Sequence, residues 1–122
     1  MKHSVGFLAI VEDAKQRIQE IDVAGYRLLV EEDASVLLID TREESEFAAG
    51  HAAGALHLSK GIIERDIEHR VPENERTLVL YCGGGYRSAL AADNLQRMGY
   101  RRVWSLAGGW RAWLEAGMPV EK

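Results

Sequence analysis

Cysteine occurs once in this chain, at position 82, so no internal disulfide can form and nothing points to an oxidising compartment. Positive charge is in deficit, with 15 Lys and Arg against 19 Asp and Glu. That balance argues against a nucleic-acid binder, whose surface must neutralise phosphates. No apolar run approaches membrane-spanning length. The short stretch Phe7-Leu8-Ala9-Ile10-Val11 is followed by Glu12 and Asp13, where a secretory signal would carry a small-residue cleavage site. The four histidines do not cluster with the cysteine at zinc-ligand spacing, so no metal site is expected. Proline is confined to positions 72 and 119, each marking the end of a helical stretch. There is no repeat, linker or low-complexity segment. The expectation is one cytoplasmic domain over residues 1–122 with a single core.

What is present is a regular alternation of helical and extended patterns. Phe7, Val11, Ala14, Ile18 and Ile21 recur at helical spacing and predict an N-terminal amphipathic helix over roughly the first twenty residues. A second helix should pass through Tyr26, Leu29 and Val30. The run Val36-Leu37-Leu38-Ile39, ending at Asp40, reads as a strand buried on both faces. Thr41 and Glu44 fit a capping box for a short helix stopped by Gly50. Ala55 to Leu58 reads as a brief strand. Ser59 is a candidate cap for a helix carrying Ile63, Ile67 and Val71. Thr77 to Tyr81 is a further strand, followed by a helix with Ala91, Leu95 and Met98 on one stripe. Val103 to Leu106 forms the last strand, and Gly108-Gly109 opens a final helix bearing Trp110 and Trp113. Strands alternating with helices imply a parallel sheet with right-handed crossovers, covered on both faces. Ligands of such sheets bind at the carboxyl ends of the strands, which is where Cys82 falls.

The Cys82 segment carries the chemistry. A core strand delivers the thiol into Gly83-Gly84-Gly85-Tyr86-Arg87-Ser88 at the start of a helix. Glycines let successive N–H groups turn inward, the helix start adds partial positive charge, and Arg87 adds a full one. The arrangement suits an anionic sulfur. Five other readings compete. A buried structural cysteine would not require three successive glycines. A dinucleotide fingerprint lacks its third glycine and its acidic residue, and a P-loop lacks its Gly-Lys-Ser/Thr. A cysteine phosphatase or arsenate enzyme places five residues between Cys and Arg, whereas four separate Cys82 from Arg87, giving a ring better matched to one sulfur than to a phosphoryl group. Pairing of Cys82 with His51 or His57 as a hydrolase base rests on no sequence signal beyond their presence.

With these residues in view, the chain resembles the rhodanese family of sulfurtransferases from about Ile21 to Val120. Leu38-Ile39-Asp40-Thr41-Arg42 with Glu46, then Gly50-His51-x-x-Gly54-Ala55, is similar to the family's first signature. Cys82 to Ser88 resembles its active-site loop, in which the six residues from Cys82 to Arg87 have the length of the sulfur-transferring branch. Gly108-Gly109-Trp110-x-x-Trp113-x-x-x-Gly117-x-Pro119 resembles its C-terminal signature. Ala53 stands where the family often has proline, and the N-terminal helix lies outside the usual pattern. The resemblance implies a rhodanese-like α/β fold, a five-stranded parallel sheet flanked by helices on both faces.

It also implies a nucleophilic Cys82 that takes a sulfane sulfur from thiosulfate or a persulfide, holds it as a persulfide in the cradle of Gly83, Gly84, Gly85, Tyr86, Arg87 and Ser88, and passes it to cyanide or a thiol acceptor, without organic cofactor or metal. The rival from another class is a non-catalytic sulfur carrier or binding module loaded by a protein partner; a small phosphatase or arsenate reductase is the more distant alternative. Arg87 is expected to bind the anionic end of the donor in preference to pairing with a carboxylate. Asp40, Arg42 and Glu46 are expected to form a structural ion-pair set. His51 should order the turn between Gly50 and Gly54. Lys60 and Glu64 could face the loop across the strand ends, against the default of a solvated helix face. Trp110 and Trp113 are expected to be core anchors.

Overall fold

The computed structural model describes residues 2–122. In chain order the elements are α1 (Val5–Lys15), β1 (Gln19–Ile21), α2 (Val23–Glu32), β2 (Leu37–Asp40), α3 (Glu44–Ala49), β3 (His51–Ala52), β4 (Leu56–His57), α4 (Ile63–Arg70), β5 (Thr77–Tyr81), α5 (Tyr86–Arg97), β6 (Arg102–Leu106), α6 (Gly109–Glu115) and β7 (Val120–Glu121). Five strands form one parallel sheet in the order β1-β6-β5-β2-β4. A small antiparallel ribbon joins β3 to β7, and the sequence pattern did not announce it.

The central strand β5 shows why the sheet must be covered twice. Leu78 and Leu80 enter one apolar cluster with Ile63, Ile67 and Leu95. Val79 and Tyr81 enter the other, with Leu106 and Trp113. All five residues of β5 are buried, so strict alternation sends consecutive side chains into opposite cores. The helices α4 and α5 close the first face, while α2 and α6 contribute to the second.

Three local expectations require correction. The N-terminal helix ends at Lys15, and the segment after it is not helical. Gln19 to Ile21 pair with Trp104 to Leu106 as an edge strand. Ile18 and Ile21 kept the helical spacing, yet sheet pairing and burial override the local pattern. The segment ahead of α2 thus supplies an edge strand as well as a helix. Second, α3 is capped at Glu43, not Thr41: the Glu43 amide donates to Glu46 Oε1 at 2.9 Å. Thr41 is instead tied to β5, its amide and its hydroxyl both donating to the Tyr81 carbonyl at 2.8 and 2.9 Å. Third, Ser59 acts through its carbonyl, which accepts from the amides of Ile62 and Ile63; α4 begins one turn later than a side-chain cap would place it. Among the described residues, no helix is long and apolar enough to cross a membrane.

Candidate active site

Strand β5 ends at Tyr81, and the next residue, Cys82, turns into the loop that opens α5. The turn depends on Gly85, the residue preceding α5, which adopts φ of 101°, a region that side-chain-bearing residues rarely occupy. This conformation aims amides inward. The N–H of Gly85 donates to Cys82 Sγ at 3.1 Å and that of Ser88 at 3.4 Å, with Ser88 Oγ 3.5 Å from the same sulfur. Ser88 Oγ is itself held 2.8 Å from Ser105 Oγ of β6. Cys82 is only 1% exposed, yet it borders a cavity of about 710 Å³ whose walls include His3, Phe7, Glu46, Tyr86, Arg87 and Arg111. Of the six loop residues expected to cradle the sulfur, two supply amides to Sγ, Gly85 and Ser88; a recessed sulfur met by two N–H donors and a hydroxyl can carry negative charge without a neighbouring cation touching it.

Arg87 lies beside this ring; a Cβ on Gly83 would stand 3.2 Å from its Nη2. Its guanidinium grips Glu46 with both arms, Nη1 to Oε1 at 2.8 Å and Nη2 to Oε2 at 3.3 Å. The hydrogen bond from Arg87 holds the Glu46 carboxyl below the usual carboxylate range, and Glu46 in turn raises Arg87. Arg87 therefore has the carboxylate partner that the sequence reading ranked second, while remaining on the cavity wall.

Glu46 is thus separated from the pair with which the sequence grouped it. Arg42 pairs with the Asp40 carboxylate, donating from Nε to both of its oxygens at 3.1 Å and from Nη2 to Oδ2 at 2.8 Å. The same Nη2 donates to the Gly50 carbonyl at 2.7 Å. Tyr81 completes this buried set: its hydroxyl donates to Asp40 Oδ2 at 2.6 Å and accepts from the Ala52 amide at 3.0 Å. Burial, reinforced by the Asp40 charge, pushes the Tyr81 phenol well upward, so it stays protonated. The Arg42 guanidinium lies 4.5 Å from the centre of the Trp110 ring, and Trp113 is buried in the core. Buried charges satisfied this fully fix β2, β3, β5 and α6 against one another.

His51 ties α3 to the antiparallel ribbon. Its Nδ1 lies 2.9 Å from the Phe47 carbonyl, its ring stacks on Phe47 at 3.7 Å, and its Nε2 approaches Glu121 Oε1 at 3.6 Å. Lys60 and Glu64 are not cavity residues. They pair with each other at 3.3 Å, and Glu64 accepts from Asn94 Nδ2 of α5 at 2.8 Å. Sequence reasoning missed His3, Phe7, Ser105 and Arg111. In sequence Phe7 is only part of an amphipathic stripe, and Arg111 sits between two signature tryptophan positions without being one itself. Among the described residues, no group of three or more His, Cys, Asp or Glu could hold a metal ion.

A family model for the rhodanese-like domain matches residues 22–116. The chain belongs to the rhodanese family. A sulfurtransferase of Allochromatium vinosum is 35% identical over 103 residues, covering 84% of this chain and 94% of its own length. Among solved structures, a protein of unknown function from Rhodopseudomonas palustris, described as a possible tyrosine phosphatase, superposes with a TM-score of 0.84 at 32% identity over 99% of both chains. The polysulfide-sulfur transferase homodimer of Wolinella succinogenes gives 0.78 at 26% identity, over 95% of this rhodanese-like chain and 87% of that one.

Proposed function

We propose that this rhodanese-like protein transfers sulfane sulfur through a persulfide on Cys82. The observation that carries the reading is the convergence of the Gly85 and Ser88 amides on Cys82 Sγ. The thiolate attacks the outer sulfur of thiosulfate; the S–S bond of the donor breaks, sulfite leaves with its electron pair, and the Cys82 persulfide anion remains. Cyanide or a thiolate then attacks the outer sulfur, and the Cys82 thiolate leaves. This is two-step covalent catalysis in which the cysteine is the carrier. The two amides on Sγ stabilise the thiolate before attack and again as it leaves in the second step. A cysteine that must stand as a free thiolate to accept each new sulfur fits a reducing compartment such as the cytoplasm.

The compact ring disfavours phosphoryl transfer, which needs donors for three equatorial oxygens. Intact-mass analysis after thiosulfate treatment tests the proposal: one added sulfur is expected, and Cys82→Ser should abolish it. Turnover of thiosulfate with cyanide distinguishes an enzyme from a carrier loaded only by a protein partner. Hydrolysis of an aryl phosphate without sulfur loading would overturn the reading in favour of a phosphatase.

A further inference from the structure

The family match begins at residue 22, yet two residues that precede it border the same cavity as Cys82. His3 and Phe7 stand there with Tyr86, the first residue of α5. The three rings form one surface: centroids are 4.5 Å apart for His3 and Tyr86, 5.2 Å for His3 and Phe7, and 6.2 Å for Phe7 and Tyr86. Phe7 is half-buried and belongs to neither apolar core cluster, and its ring is one wall of the cavity. The cavity also carries Arg111, which is exposed and, among the described residues, makes no ion pair. Arg87 on the same wall is already neutralised by Glu46.

These features suit a particular kind of donor. Thiosulfate is a compact, strongly hydrated anion and gains little from an aromatic wall. A volume of about 710 Å³ falls in the range of roughly 300–1,000 Å³ typical of pockets for organic ligands. An aromatic surface rewards carbon, and a guanidinium with no carboxylate partner rewards a carboxylate. We propose that the N-terminal segment, through His3 and Phe7 packed on Tyr86, is the donor-selecting wall of the site, and that the donor it selects is an organic hydropersulfide, R–S–SH, whose R group carries carboxylates. This rests on the sulfur-transfer reading above. In the step, the Cys82 thiolate attacks the outer sulfur of R–S–SH, the donor S–S bond breaks, R–S⁻ departs with the electron pair, and the proton stays on the transferred sulfur.

The test compares rates of sulfur loading onto Cys82, followed by rapid quench and intact mass, for glutathione persulfide and for thiosulfate. Measuring both donors on the same preparation and taking their ratio cancels any loss of folded protein. Phe7→Ala and His3→Ala should lower the ratio of glutathione persulfide to thiosulfate loading about threefold to tenfold, the scale of one aromatic contact. Arg111→Gln should slow loading by glutathione persulfide about threefold to tenfold; an unchanged rate would remove the carboxylate requirement. Normal loading from thiosulfate with an unmoved ratio in both wall variants would overturn the donor-selecting wall alone. Absence of loading from either donor in the unaltered protein would overturn the sulfur-transfer reading and this inference with it.

Discussion

The carbonyl of Cys82 accepts the Trp110 amide at 2.7 Å, which docks the start of α6 directly against the sulfur-bearing loop. Such an approach is open only to glycine at the preceding position. Gly109 has φ of 49°, and a Cβ there would overlap the Cys82 carbonyl oxygen and stand 3.0 Å from the carbonyl carbons of Cys82 and Gly83. Backbone cannot yield as a side-chain tip can. Gly109→Ala is expected to cost about 2 kcal/mol or more of stability and to abolish sulfur loading. Urea unfolding and intact mass after thiosulfate treatment check the two parts separately.

Ser88 gives a finer probe, because its amide and its hydroxyl both approach the sulfur. Ser88→Ala keeps the amide but leaves Ser105 Oγ, which is fully buried, without its side-chain partner. An orphaned buried hydroxyl costs about 1–3 kcal/mol. Ser105→Ala should destabilise by a similar amount while leaving both amide contacts to Sγ in place. The expected result is comparable unfolding midpoints for the two variants, with the larger loss of sulfur-loading rate in Ser88→Ala.

Much of this candidate site is legible in the sequence, and the reason is physical. The Cys82 loop is continuous in sequence, so glycine content and helix start fix its conformation locally. The run Thr77 to Tyr81 is likewise the observed strand β5, residue for residue. What sequence could not give was partners brought from afar. Glu46 and Arg87 lie 41 positions apart, and nothing local told whether Glu46 would join Asp40 or cross to the loop. The edge strand β1 was hidden for a related reason. Ile18 and Ile21 satisfy a helical period, and only pairing with β6 decides against it. The aromatic wall of His3 and Phe7 depends on how α1 docks on α5, a tertiary fact with no local signature.

The Glu46–Arg87 pair makes opposing kinetic predictions for its two members. Arg87→Ala should raise the KM for thiosulfate, since it removes a cation from the cavity wall. Glu46→Gln should lower that KM, since it removes the anion that neutralises Arg87, and the effect should shrink with added salt. The pH dependence has a defined sign. Because the folded state holds Glu46 below its ordinary value of 4.5, the pair's contribution to stability is present above that pH and is lost as pH falls through the lowered value. Glu46→Gln should flatten the acid limb of the stability profile, as followed by unfolding midpoint against pH. Steady-state kinetics at two ionic strengths checks the rest.

Arg17 offers a stability test remote from the cavity chemistry. It sits in the turn between α1 and β1 and forks onto Asp93 of α5, Nε to Oδ1 at 3.0 Å and Nη2 to Oδ2 at 2.7 Å, while also reaching Asp13 at 2.9 Å. The hydrogen bond from Arg17 lowers the Asp93 carboxyl below its ordinary range. Asp93 is largely buried, whereas Arg17 is about two-fifths exposed, with 43% of its side chain accessible, so solvent screens part of the attraction. A double-mutant cycle with Arg17→Met and Asp93→Asn should return a favourable coupling that weakens with added salt. That coupling should vanish as pH falls through the lowered Asp93 value, because protonation removes the charge that Arg17 grips. Since this clamp fastens the helix bearing Phe7 onto the helix bearing Tyr86, Arg17→Met should also loosen the aromatic contact at the cavity. The measurement is hydrogen exchange across residues 5–15, where protection should fall in the variant while the amides of β5 stay as slow as before.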